Sequence, residues 1–248
     1  MNETAEELAN YLIERLKLSP PDSRIVVGLA GVPASGKSTL AHRIVDHVNA
    51  HFRRKSGVVG NVQNDIAVLI GLDGWHLTRA QLDQFPDPKL AHDRRGAHWT
   101  FDGEGYVEFI RALRRPMVAV DAKGTSSSEV VYAPSFDHAL KDPTPKAVPV
   151  YPYHRLVVIE GLYAFLGIDP WKRAGELLDE RWWLEIDEAE AERRLVARHV
   201  RSGVAQSMEE AIWRSRENDT PNGRFLRENM LEPTRTIQSI EDPVLAAT

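Results

Sequence analysis

The octet Gly31-Val32-Pro33-Ala34-Ser35-Gly36-Lys37-Ser38 constrains the fold more than any other feature, because it meets the G-x-x-x-x-G-K-[ST] pattern at every fixed position. It follows an apolar run, Ile25-Val26-Val27-Gly28-Leu29-Ala30, short enough for a buried strand, and it precedes helical periodicity from 37 to about 52. Glycines at those two places leave backbone N–H groups able to wrap phosphate oxygens. The helix beginning at Lys37 adds its favourable dipole at the same point. Lys37 supplies a mobile cation for β- and γ-phosphates, and Ser38 a hydroxyl for Mg²⁺. At ordinary residue usage such an octet arises by accident in roughly one chain of this size in a hundred, and the flanking strand and helix lower that further. Gly31, Ala34, Ser35, Gly36, Lys37, Ser38 and Thr39 are therefore expected to contact a nucleoside triphosphate.

The remaining pattern repeats the strand-then-helix theme. Apolar runs at 66–72, 156–159 and 181–186 read as buried strands, and amphipathic stretches at about 104–113, 188–200 and 207–218 as helices. Such alternation implies an α/β fold with a parallel sheet covered by helices on both faces. Ahead of it, Ala5, Leu8, Leu12, Ile13 and Leu16 mark one amphipathic helix that Pro20-Pro21 ends. Between 117 and 150 short β-like runs are broken by Ser126-Ser127-Ser128 and by prolines. We read this as an insertion over the carboxyl edge of the sheet, where such folds bind ligands. The expected organisation is an N-terminal helix and linker over 1–22, then a single domain over 23–248 with its β-rich insertion at about 115–150.

At 248 residues the chain can bury a substantial core. Its net charge of −5, without a long Lys/Arg run, disfavours a nucleic-acid partner. With no cysteine it has neither disulfides nor a thiolate metal site. The acidic start, Asn2-Glu3-Thr4-Ala5-Glu6-Glu7, carries no apolar signal core, and no run approaches membrane-spanning length. A cytoplasmic protein without a membrane partner is expected. His47 and His51 have the i, i+4 spacing of a metal pair but no evident acidic third ligand.

A phosphate-binding loop does not name a reaction. The guanine-reading Asn-Lys-x-Asp sequence is absent, and the run Leu156-Val157-Val158-Ile159 ends in one acid, Glu160, where hydrolytic ATPases commonly carry a pair. One carboxylate suffices to hold magnesium water. The run 66–72 leads directly into Asp73-Gly74-Trp75-His76. A carboxylate at that strand end is placed to accept a proton from an incoming hydroxyl, as a kinase needs. On residue chemistry alone an ordinary Asp-Gly turn is an equal alternative.

Taken in order, 31–38, Leu72-Asp73-Gly74-Trp75-His76-Leu77, Arg95-Gly96-Ala97-His98-Trp99-Thr100-Phe101-Asp102, Pro134-Ser135-Phe136-Asp137-His138 and Ile159-Glu160-Gly161-Leu162-Tyr163 resemble the uridine kinase, phosphoribulokinase and type I pantothenate kinase superfamily. The similarity is greatest to the uridine-kinase-like branch labelled fructose-transport-system kinase, and it covers nearly everything after Ser23. The resemblance implies a P-loop NTPase-type sheet, a small substrate insertion, and a helical lid over about 188–222. It implies Asp73 as catalytic base and metal organiser, with Ser38 and Glu160 completing a hard-oxygen Mg²⁺ site. Asp102 and His138 match acceptor-contacting positions, and Arg95, Trp99, Tyr132 and Phe136 are candidates for the acceptor wall. Asp102 also stands where it can cap the helix starting near Glu104. Arg194 and Arg198 match lid arginines that stabilise the transferring phosphoryl group, whereas Arg201 is read as a solvated face. Asn218-Asp219-Thr220-Pro221-Asn222-Gly223 resembles a signature of the branch, with a turn expected at Asn222-Gly223 and no chemical role evident.

The expected activity is ATP- and Mg²⁺-dependent phosphorylation of a hydroxyl on a small metabolite. Sugars, nucleosides, pantothenate-like acids and glycerate all stay open as the acceptor, as does a homodimer. The alternatives are an NTP hydrolase and a nucleotide-dependent regulatory protein. Intact Lys37, Ser38, Asp73 and Glu160 count against the second.

Overall fold

The computed structural model describes residues 1–56, 65–117, 119–120, 126–127, 129–137 and 140–240. The chain begins with α1 (Asn2–Leu18), β1 (Ile25–Gly31), α2 (Lys37–Ser56) and β2 (Ala67–Gly71), which runs into a 3-10 turn (Leu72–Trp75). Two short helices, α3 (Arg79–Leu82) and α4 (Pro88–Asp93), and a longer one, α5 (Gly103–Leu113), follow. The insertion holds β3 (Ala119–Val120), β4 (Ser126–Ser127), β5 (Val131–Asp137) and β6 (Asp142–Val150). The chain then forms β7 (Leu156–Glu160), α6 (Trp171–Gly175), β8 (Glu180–Glu185), α7 (Glu188–Arg201), α8 (Met208–Arg214), a π-helical turn (Ser215–Asp219), α9 (Thr220–Asn229) and β9 (Arg235–Gln238).

Among the described residues, five strands form one parallel sheet in the order β2-β7-β1-β8-β9. The centre of β1 shows why both faces are covered. Ile25, Val27 and Leu29 join a cluster with α1 and α2, while Val26 and Ala30 join the opposite cluster with α5 and α6. Period-two alternation of two apolar sets is what a strand buried on both sides requires. The first helix completes the first cluster through Ala5, Leu8, Leu12 and Leu16. The opposite cluster is rich in aromatic rings. Trp75, Tyr106, Phe101, Tyr163 and Trp171 meet at centroid separations of 5.3 to 5.9 Å.

Several elements differ from the sequence reading, α3, α4, α6, α9 and β9 among them. The edge strand β9 was not anticipated: it is four residues long, with only Ile237 buried, too short a signal for periodicity to register. Asn222 and Gly223 lie within α9 and not in a turn. Both are buried, and a Cβ at Gly223 would press on Val32 of the phosphate-binding loop at 3.1 Å, so tertiary packing overrides the local turn preference.

The β5–β6 hairpin covers the 3-10 turn. Its ladder shifts register between Ala133 and Ser135, around Pro134, and β6 carries Pro143, Pro145 and Pro149, residues tolerated only where a strand is an edge. The carbonyl oxygen of Pro134 abuts Gly74, where any Cβ would collide with it. No helix among the described residues is long and apolar enough to cross a membrane.

Candidate active site

The octet turns from β1 into α2 through two positive backbone angles, φ 62° at Ala34 and φ 92° at Gly36. Gly31 is required by space: a Cβ there would lie 2.7 Å from Ser35 Oγ and 3.0 Å from the Leu184 carbonyl oxygen. Ser35 N–H donates to the Val32 carbonyl at 3.2 Å, closing the loop. Burial pushes the Lys37 ammonium below its ordinary pKa, and the carboxylates of Glu160, then Asp73, pull it back. Arg198 on α7 acts with the burial and Asp219 against it, so both lie within electrostatic reach of the loop lysine.

Strand register delivers the acids. Glu160, last in β7, sits opposite Leu29 of β1 on one side and Gly71 of β2 on the other, two residues before Asp73. Three adjacent strand ends thus converge. Burial raises the Glu160 carboxyl, Lys37 lowers it, Asp73 raises it again and a hydrogen bond with Ser38 lowers it. Its Oε2 is buried without a protein partner. A desolvated carboxylate oxygen beside a hydroxyl and a second carboxylate is the hard-oxygen donor set that suits Mg²⁺. Asp73 itself is about half exposed (48%), open to an incoming molecule. Behind it the His76 ring packs against Phe101 at 3.9 Å and Phe136 at 4.8 Å, with Nδ1 2.9 Å from the Asp73 carbonyl oxygen.

The two arginines expected to belong to a lid have different surroundings. Arg194 donates from Nε to Glu190 at 2.7 Å and from Nη1 to Ser239 Oγ at 3.1 Å, and Ser239 Oγ donates to the Ser35 carbonyl at 2.7 Å. Helix α7 is thereby tied to the loop backbone. Arg198 is exposed, as is Arg201 at the end of the helix.

Sequence reasoning missed Asp219. Its Oδ2 lies 3.0 Å from Nε2 of the buried His199 on α7. The signal was Pro221: without an N–H it cannot bond the carbonyl four residues back, at Glu217, and its ring crowds that carbonyl. The helical ribbon widens to a π turn just there, and the released Glu217 carbonyl accepts from Arg94 Nη1 at 2.8 Å. Next to it Asn218 Nδ2 donates to the Arg95 carbonyl at 3.4 Å. One turn therefore contacts α7 and the segment expected to face the acceptor, and lies within electrostatic reach of the loop lysine.

That segment is divided. Arg95 donates to the carbonyls of Lys141 (2.5 Å) and Leu77 (2.8 Å) and to Asp142 (3.3 Å), pinning the hairpin to the chain after Asp73. Asp102 caps α5, with Oδ1 accepting from Gly105 N–H at 2.8 Å. Asp102 and Tyr132 both line a groove of about 690 Å³ between α5, residues 74–76 and the hairpin. Trp75 is core, Trp99 packs on Phe85 at 5.7 Å, and Phe136 packs under Arg95 and against His76. His138 lies outside the described residues.

No protein-family model matches the chain. The Schizosaccharomyces pombe protein C227.14, provisionally named a uridine kinase, is 34% identical over 235 residues, covering 95% of this chain and 90% of that one. The ATP-dependent kinase-like protein notR' of Aspergillus versicolor is 43% identical over 160 residues, 64% of this chain and 89% of its own. Among solved structures, a protein of Silicibacter sp. TM1040 provisionally named a fructose transport system kinase superposes with a TM-score of 0.75 at 29% identity, over 94% of this chain and 98% of that one. The phosphate-binding loop, the parallel sheet and this likeness along almost the whole length place the chain in the uridine-kinase-like family of ATP-dependent P-loop kinases.

Proposed function

We propose that the protein transfers the γ-phosphoryl group of ATP to a hydroxyl of a small metabolite, with Asp73 as the base. The observation that carries this reading is the convergence of Lys37, Glu160 and Asp73 from three neighbouring strand ends. Loop amides and Lys37 bind the phosphates. Ser38, Asp73 and Glu160 are the residues that would hold Mg²⁺, which when bound neutralises charge on the β- and γ-phosphate oxygens.

The acceptor oxygen forms a bond to the γ-phosphorus while the bond from that phosphorus to the bridging oxygen breaks, and ADP leaves with the electron pair. The hydroxyl proton passes to the Asp73 carboxylate. Arg198 adds positive charge over the transferring group, and Arg194 holds the lid to the loop through Ser239. Closing the lid keeps water from competing with the acceptor.

Incubation with Mg·ATP and a panel of sugars, nucleosides and hydroxy acids, read by mass spectrometry, tests this directly. A product heavier by one phosphoryl group is expected from at least one acceptor, formed at least about 10²-fold more slowly by Asp73→Asn. Steady phosphate release without any acceptor would mean a hydrolase, and tight ATP binding with no turnover a regulatory protein.

A further inference from the structure

Resting on the kinase reading above, we infer that Asp219 is a second acceptor-binding carboxylate: tied to His199 through one oxygen, it offers the other to a hydroxyl of the acceptor that does not react. The residue belongs to Asn218-Asp219-Thr220-Pro221-Asn222-Gly223, a stretch with no evident chemical role in the sequence. Its place in the fold supplies one. The π turn that carries it bonds the segment 94–96 on one side, with Arg94 donating to the Glu217 carbonyl at 2.8 Å and Asn218 to the Arg95 carbonyl at 3.4 Å. On the other side Asp219 lines a small cavity together with Val32 and Pro33 of the phosphate-binding loop. Asp219 therefore stands between that loop and the segment expected to face the acceptor.

The carboxylate is held without being used up. Nε2 of His199, buried on α7, lies 3.0 Å from Oδ2, and among the described residues no hydrogen bond engages Oδ1. The side chain stays 23% exposed, so a ligand can reach it. Beyond the effect of burial, its charge acts on the Lys37 ammonium together with those of Glu160 and Asp73. It acts also on the Tyr163 hydroxyl, which donates to the Gly96 carbonyl at 2.8 Å. A carboxylate so placed repels the phosphates of a nucleotide and attracts donors. Its partner is then a hydroxyl of the second substrate, held while Asp73 takes the proton from the one that reacts.

Calorimetry on the whole protein tests this. It uses the acceptor that gives product in the mass-spectrometric panel, its single-deoxy analogues, and Mg²⁺ with a nonhydrolysable ATP analogue. Asp219→Asn is isosteric and keeps an amide oxygen for His199, so the tie to α7 survives while the charged oxygen is lost. Acceptor affinity is expected to fall about tenfold or more, the strength of a hydrogen bond to a charged group, with affinity for the ATP analogue changed by less than about twofold. One deoxy analogue should bind the wild type about tenfold more weakly than the acceptor does. That penalty should vanish in Asp219→Asn, because the missing hydroxyl and the missing carboxylate are two sides of one contact. Each penalty is a ratio within one enzyme, so partial loss of folded protein cancels. Unchanged acceptor affinity, deoxy penalties equal in the two enzymes, or weakening confined to the ATP analogue overturns the inference and leaves the kinase reading intact. No product from any acceptor with the wild type overturns the kinase reading itself, and this inference with it.

Discussion

The phosphate-binding loop and the groove lined by expected acceptor residues are built in opposite ways. The first is eight consecutive residues whose backbone turns through two positive φ angles, so its pattern is written contiguously between β1 and α2. The second is gathered from the chain after β2, the first turns of α5 and a proline-broken hairpin. A contiguous site survives loss of everything but local pattern. A gathered one exists only once packing has aligned its parts, and here that alignment depends on Arg95, Gly74 and the π turn.

The sharpest way to break the comparison is Asp73→Asn, which belongs to the junction of the two halves. It is expected to cut kcat by roughly 10²–10⁴-fold while a fluorescent ATP analogue still binds. Lost nucleotide binding would instead make Asp73 part of the loop's own machinery. Next in size is Gly74→Ala. The Cβ collides with the Pro134 carbonyl, so the hairpin must lift at a cost of about 1–3 kcal/mol in denaturant unfolding, with acceptor KM rising more than ATP KM. An unchanged stability would show that the hairpin gives way freely.

Pro221→Ala probes the link between the halves. The restored N–H can recapture the Glu217 carbonyl, returning the π turn toward α-helix and depriving Arg94 of its partner. Loss of one such bond corresponds to about fivefold in acceptor KM, at roughly 1 kcal/mol, with stability unchanged or higher. Equal kinetics would mean that the turn is passive.

The smallest expected effect on turnover concerns pH and lies away from both halves. Burial, helped by Arg24, pushes the His154 imidazole from its ordinary 6.5 down to about 4, and its Nδ1 accepts from Tyr151 N–H at 3.1 Å. The unfolded chain then binds a proton that the folded one refuses. Stability is complete above pH 6.5 and falls as pH drops from 6.5 toward 4. A thermal scan should lose several degrees more over that window in the wild type than in His154→Asn. Parallel curves would assign the acid sensitivity elsewhere.

Much of the architecture could be read before any coordinates. The apolar runs at 25–30, 66–72, 156–159 and 181–186 correspond to β1, β2, β7 and β8 with ends displaced by a residue or two, because a strand buried on both faces leaves an uninterrupted apolar trace. Strand β9 left none. At Asp102 the sequence offered both a helix cap and an acceptor contact. The structure has the cap, and it sets the same residue on the groove wall. Asp219 had no role in the sequence because nothing local connects it to His199, twenty residues earlier.

By itself, the sequence determined the phosphate-binding loop, the parallel character of the sheet and the carboxylates at two strand ends. Each rests on backbone conformation or period-two burial, which neighbouring residues dictate. Only the tertiary structure decided that Arg95 fastens the hairpin, that Arg194 reaches the loop through Ser239, and that Pro221 opens a π turn joined to α7 and to Arg94. Those outcomes depend on which donor meets which unsatisfied carbonyl across the fold, and hydrogen bonds between residues distant in sequence leave no periodic trace in it.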